Sequence, residues 1–194
     1  MTDATTDARN FVFAGFVAYF VIELVATRSR NSNRDIGSTA DSGSLVVIVA
    51  VLSGTFALAG LARSFAGWLE PPGSALAWAL AGAVVCAAGA ALRASAVARL
   101  GQAYNTVVTI QPGQRLITDG PYRFVRHPAY SGLIVMLAGV GISVANTGAL
   151  AACLVLPLPA LLYRIRVEER ALSQAMGDYL GYARDRKRLI PGVW

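Results

Sequence analysis

Two stretches of this chain, Leu45–Ala62 and Ser74–Leu92, run for 18 and 19 residues without a single charge. A helix needs about 20 residues to cross the hydrocarbon core of a bilayer, so both read as spanning helices. Three further apolar runs, Phe11–Ala26, Ser131–Ala145 and Ala149–Tyr163, are shorter and reach that length only if flanking residues continue the helix. Charged residues are 14% of the chain, against roughly a quarter in soluble domains. The expected fold class is all-α: a polytopic membrane helix bundle of about five transmembrane helices with a helical C-terminal tail. Two regions follow: residues 1–100 with about three spans, and residues 101–194 with a polar linker, a helical hairpin and the tail. Asn146, Thr147 and Gly148 alone join the last two runs, which makes them a tight antiparallel pair. Pro157 and Pro159 are expected to kink the fifth run, because proline has no N–H to give the preceding turn.

The net charge of +6 would suggest a nucleic-acid partner in a soluble protein, and the positions of the basic residues decide otherwise. With the N-terminus outside, the cytoplasmic segments hold Arg28, Arg30, Arg34, Arg93, Arg99, Arg115, Arg123, Arg126, Arg164, Arg166, Arg170, Arg184, Arg186, Lys187 and Arg188. Only Arg9 and Arg63 fall on the other side. This is the separation that fixes membrane topology, and a nucleic-acid surface has no reason to alternate in this way. Neither Cys86 nor Cys153 lies in a disulfide or zinc pattern, and His127 is the only histidine, so no metal site is expected. The N-terminus shows no cleavage pattern after its apolar run, and no cleaved signal peptide is read there. The third run is crowded with Ala and Gly, which either let helices approach closely in lipid and place it at the centre of the bundle, or reflect only a coding bias toward alanine. Glu23, near the end of the first run, reads as a snorkelling or capped carboxylate in preference to a catalytic one.

Two stretches break the lipid-like character, Gly101–Tyr130 and the tail from Arg164, and chemistry at an aqueous face must come from them. In the first, Val107–Ile110 alternates weakly toward strand. Gln111-Pro112-Gly113 and Asp119-Gly120-Pro121 are turn signals, so a compact non-helical linker is expected. His127-Pro128 opens the fourth span, with proline where its missing N–H costs nothing. The amides of Ala129, Tyr130 and Ser131 would then point before the helix, suited to an anionic group, with His127 either donating alongside them or merely capping the helix. In the tail, Arg164 and Glu168 are four apart and share a helix face. They form either an intrahelical ion pair or a divided pair of ligand contacts. Gly177-Asp178 ends that helix, and the basic, aromatic segment after it folds back over the site or onto the membrane surface.

The segments GPYRFVRHPAYSG (Gly120–Gly132), RIRVEE (Arg164–Glu169) and GDYLGYARDRKRLIPGVW resemble the isoprenylcysteine carboxyl methyltransferase family. The resemblance covers about Gly101 to Trp194, and the pairing of RHPxY with a later EE is its most specific part. It implies a cytoplasmic linker that binds S-adenosylmethionine and an acceptor that enters from the bilayer. Carried over residue by residue, the cofactor contacts are Gln114, Arg115, Leu116, Ile117, Tyr122, His127, Pro128, Ala129, Tyr130 and Glu168. The substrate-positioning arginine falls on Arg164, with Arg166 as its rival. The acceptor implied is lipid-modified or apolar, first of all a prenylated cysteine carboxylate, with a phospholipid amine or an isoprenoid thiol as alternatives. A membrane reductase using NADPH is the competing enzyme class, since sterol reductases share a similar turn. The EE pair and short tail argue against it. A scaffold or transporter is a third reading, opposed by the absence of charge in the middle of the second to fifth runs. Gly139-Val140-Gly141 lies inside the fourth span and reads as packing.

Overall fold

The computed structural model describes residues 10, 12–22, 25, 44–65, 67–104 and 115–194. Among these, every regular element is helical, and one isolated bridge joins Val125 to Lys187. Helix α1 covers Val12–Ile22. The others are α2 (Ser44–Phe65), α3 (Ala75–Leu100), α4 (Pro128–Ser143), α5 (Thr147–Val155), α6 (Leu158–Ala175) and α7 (Tyr179–Asp185). The third apolar run continues two turns beyond its uncharged part, carrying Arg93 and Arg99 within the helix. The fifth breaks as its prolines require: α5 ends at Val155, Leu156 and Pro157 form a turn, and α6 resumes at Leu158. Without N–H groups, Pro157 and Pro159 donate nothing to the turn that precedes them. Two units, Ala75–Leu100 and Thr147–Ala175, are long and apolar enough to cross a membrane, and only 22% and 39% of their most apolar stretches are buried. Their outward faces are therefore apolar as well.

Helices α3 and α4 pack antiparallel and very close. The buried positions of α3 are Ala79, Gly82, Cys86, Gly89, Arg93 and Ala96, spaced alternately by three and four residues. That spacing keeps one stripe facing a neighbour at a shallow left-handed crossing. Glycines on both helices make the approach possible. A Cβ on Gly82 would lie 2.5 Å from the Gly139 carbonyl oxygen, and one on Gly89 would lie 2.5 Å from the Met136 nitrogen. Gly132 and Gly139 meet Arg93 and Cys86 of α3 in return. Gly141 lies against Leu150 of α5, so the Gly139–Gly141 segment is packing, as its sequence suggests.

The centre of the bundle is α4, however, and not α3. Ten of the residues Pro128–Ser143 are buried, whereas α3 buries one stripe and leaves Leu80 and Val84 exposed. Small residues mark the tight interface of α3 without placing that helix inside. The main core gathers Phe16, Ala59, Cys86, Leu133, Met136, Leu137, Val140, Ala149, Cys153 and Leu161. Gly89→Leu would drive a side chain into backbone atoms of α4 and is expected to cost about 3 kcal/mol or more, since overpacking has no soft neighbour to move. A Cβ on Gly181 meets nothing, so Gly181→Ala should leave the melting temperature in detergent nearly unchanged. Equal, small shifts for both variants would refute this packing.

Glu23, Val107–Ile110 and Gln111–Gly113 lie outside the described residues. The two described ends of the linker are not wholly non-helical: 3-10 turns occupy Gly101–Ala103 and Gly120–Arg123. Gly120 opens the second with φ +57°, a conformation that favours glycine. The Arg99 guanidinium, 2.8 Å from the Asp119 carboxylate, ties this end of the linker to the end of α3.

Candidate active site

The start of α4 brings the linker to its target. His127 is the residue before the helix, and Pro128 takes the first helical position. The Tyr130 and Ser131 amides both donate to the His127 carbonyl, at 3.0 and 3.1 Å. Two of the three amides read from sequence as open to an anion are thus already used. The histidine ring makes no capping bond, so the capping alternative also falls. Instead the ring is 4% exposed, with Nε2 3.2 Å from Glu169 Oε1 and Nδ1 3.9 Å from Glu168 Oε2.

The consecutive glutamates of α6 have separate surroundings. Glu169 is enclosed: Arg126 approaches Oε1 at 2.8 Å, and the Arg188 guanidinium grips the carboxylate at 2.9 and 3.1 Å. Burial alone would raise its pKa. Hydrogen bonds from His127 and Arg188, with the charges of His127 and Arg126, bring it down to about 2. Glu168 is the open one, its side chain 30% exposed against 13% for Glu169. The Tyr130 hydroxyl donates to Glu168 Oε2 at 2.9 Å and accepts from Arg164 Nε at 2.8 Å. A phenol thus stands between two α6 residues that share a helix face. Arg164 is buried at 5% exposure, whereas Arg166 is exposed.

The tail closes one side. Helix α6 ends at Ala175, and α7 follows with Tyr179 buried. The Tyr182 hydroxyl donates to the Tyr122 carbonyl at 2.7 Å. Beyond α7 the chain runs beside the RHP turn: the Arg126 amide donates to Lys187, the His127 amide to Arg188, and Ser131 Oγ to the Leu189 carbonyl at 2.6 Å. Of the two destinations read from sequence, the tail takes the one over the site. Arg188 also lies over the Trp194 ring, 5.2 Å from its centroid.

The residues carried over from the resemblance fall into two adjoining groups. His127, Tyr130, Arg164 and Glu168 meet directly. Ile117, Tyr122 and Ala129 pack together with Ala96 and Leu100 beside them. Burial and the nearby Glu168 carboxylate push the Tyr122 phenol well above its usual range. Leu116 is half-buried, Pro128 buried and Arg115 exposed, while Gln114 lies outside the described residues. Sequence reasoning missed Arg126 and Arg188 as the cations that hold Glu169. It also missed Arg93, although a charge on the small-residue stripe of α3 was a visible signal.

The sequence model of the isoprenylcysteine carboxyl methyltransferase family matches residues 80–174. The chain is 31% identical over 108 residues to protein-S-isoprenylcysteine O-methyltransferase B of Arabidopsis thaliana, covering 54% of this chain and 53% of that protein. To the protein-S-isoprenylcysteine O-methyltransferase of Schizosaccharomyces pombe it is 33% identical over 105 residues, covering 53% and 43%. The chain therefore spans about half the length of the curated relatives it matches. Its fold is similar to the solved structure of a eukaryotic intramembrane Ras methyltransferase, with a TM-score of 0.64, 20% identity, and coverage of 96% of this chain and 68% of that one. At that identity the likeness speaks to fold.

Proposed function

We propose that this chain, whose residues 80–174 match the isoprenylcysteine carboxyl methyltransferase family, is an integral membrane methyltransferase of that family using S-adenosylmethionine. Its proposed acceptor is lipid-modified or apolar, in first place the carboxylate of a prenylated cysteine. The observation that carries this reading is the Tyr130 hydroxyl, held between Glu168 and Arg164. It brings an open carboxylate and a buried guanidinium to one point in the middle of α6. Helices α1, α2, α3 and α4 and the α5–α6 unit would make the five crossings, with the N-terminus outside and the site on the cytoplasmic face. The distribution of basic residues supports that orientation.

The donor set fits the cofactor. Among the described residues Glu168 accepts through Oε2, and its partly exposed carboxylate keeps a second oxygen for a hydroxyl or ammonium. Ile117, Tyr122 and Ala129 supply an apolar and aromatic wall beside it. S-adenosylmethionine supplies, when bound, a methyl group on a positively charged sulfur, transferable to a carboxylate oxygen with no proton to remove. No general base is then required of the chain, and its work is to position the reactants and exclude water. Arg164 orients the acceptor carboxylate while leaving one oxygen unclamped, since a full bidentate grip would blunt its nucleophilicity. The strap of residues 186–194 covers the His127 side.

Thermal unfolding in detergent tests the reading. S-adenosylmethionine and S-adenosylhomocysteine should each raise the melting temperature, as ligands that bind only the folded state do, and NADPH should not. Stabilisation by NADPH alone would transfer the assignment to a reductase. Label from a radioactive methyl donor should appear in a prenylated cysteine substrate and not in phosphatidylethanolamine or an isoprenoid thiol.

A further inference from the structure

One buried charge has no part in the site as assigned above. Arg93 is 6% exposed in a helix whose other buried residues are Ala, Gly and Cys. Its NH1 donates to the Ala129 carbonyl at 3.0 Å, and its NH2 donates to the Tyr104 hydroxyl at 3.0 Å. The guanidinium carbon lies 5.1 Å from the centroid of the Phe20 ring in α1. Gly132 lets α4 come this close, because a Cβ there would lie 2.7 Å from the Arg93 nitrogen.

These contacts span the molecule at one level. Tyr104 closes the 3-10 turn after α3 and is where the linker departs. Ala129 is the second residue of α4, between His127 and Tyr130, and packs against Ile117 and Tyr122 at the linker's far end. A guanidinium is a rigid fork whose two arms hold two partners at a fixed separation, which an ammonium on a flexible stem does not do. A buried cation also keeps its place only while its N–H groups are used, so the fork holds both partners firmly.

We propose that Arg93 is a positioning residue for the donor side of the site, resting on the methyltransferase reading above. It locks the linker's departure to the start of α4, and so sets the spacing of the wall formed by Ile117, Tyr122 and Ala129. Its effect should fall on the cofactor and not on the acceptor, whose arginine lies on α6.

The test uses the full chain in lipid nanodiscs, with Arg93→Lys and Tyr104→Phe. S-adenosylhomocysteine affinity is measured by calorimetry, and KM is measured separately for donor and acceptor. Arg93→Lys should weaken cofactor binding about tenfold or more, the size expected when hydrogen bonds to a charged group are lost. The acceptor KM should stay within about twofold of the wild type, since the Arg93 bonds to Ala129 and Tyr104 are separate from the Arg164 bond to Tyr130. Tyr104→Phe keeps the bond to Ala129 and should weaken binding in the same direction by about threefold to tenfold, with little change in melting temperature. A purely structural arginine would instead lower the melting temperature and leave the affinity of the folded fraction intact. Wild-type affinity in both variants, or a rise in acceptor KM equal to that for donor, overturns the proposal. A wild-type chain that binds no S-adenosylhomocysteine overturns the methyltransferase reading itself, before any variant is compared.

Discussion

Glu169→Gln should lower stability by about 3 kcal/mol, because removing one charge from an enclosed, paired set leaves its partners uncompensated. The partners are Arg126, His127 and Arg188, from the turn before α4 and from the tail. A neutral amide can accept from one of them and must turn an N–H toward another cation. The strap of residues 186–194 is expected to loosen first, since Arg188 is its side-chain hold on α6. In a chain of this length that cost corresponds to a fall of roughly 6–12 °C in melting temperature. Acid gives an independent check. The Glu169 pKa falls from 4.5 to about 2 on folding, so its contribution is fully present above pH 4.5 and is lost as pH drops toward 2. The gap in melting temperature between wild type and Glu169→Gln should therefore be large at pH 7 and shrink steadily below pH 4.5. A gap of constant size across that range would mean that the carboxylate charge is not what the tail is holding.

The division between the two glutamates shows where sequence reading stops. RHPxY and EE marked two segments that meet in the structure, and the 3.6-residue period placed Arg164 and Glu168 on one face. Adjacent helix positions differ by about 100° around the axis. Nothing in the letters says which glutamate turns toward His127 and which toward Tyr130. That depends on how α6 docks beside α4, which is decided by packing between segments far apart in the chain. The same limit explains the amides at the start of α4. A helix N-terminus was legible, but not that the His127 carbonyl would already accept from two of its N–H groups. Apolar runs predicted the helices, because length and composition alone mark them. Which helix lies innermost depends on partners, so the Ala-rich α3 reads like a central helix while α4 occupies the centre. Arg188 was invisible for a further reason: arginines in a basic tail look alike until one is seen to reach a carboxylate 19 residues away.

Arg164→Ala and Glu168→Ala are expected to fail in opposite ways, and the contrast tests the site most directly. Glu168 is the open carboxylate, and its removal takes away the proposed ligand acceptor. S-adenosylhomocysteine affinity should fall by at least about tenfold, the loss expected for a hydrogen bond to a charged group. Arg164→Ala leaves the Tyr130 hydroxyl still able to donate to Glu168, so cofactor affinity should stay within about threefold of the wild type, no bond to a ligand having been removed. Turnover should nonetheless fall about 100-fold or more, because the guanidinium proposed to orient the acceptor carboxylate is gone. Tyr130→Phe couples the two functions. It removes the hydroxyl that both side chains use, so it should reduce cofactor affinity and turnover together, each by less than the direct variant does. Combined with Arg164→Ala, it should add little further loss of turnover, since residues that share one hydrogen-bond network are not additive. Binding by calorimetry and single-turnover methyl transfer would measure both quantities. If Arg164→Ala and Glu168→Ala lose cofactor affinity equally and Tyr130→Phe loses none, the three side chains are only a structural brace between α4 and α6, and the acceptor must be held elsewhere.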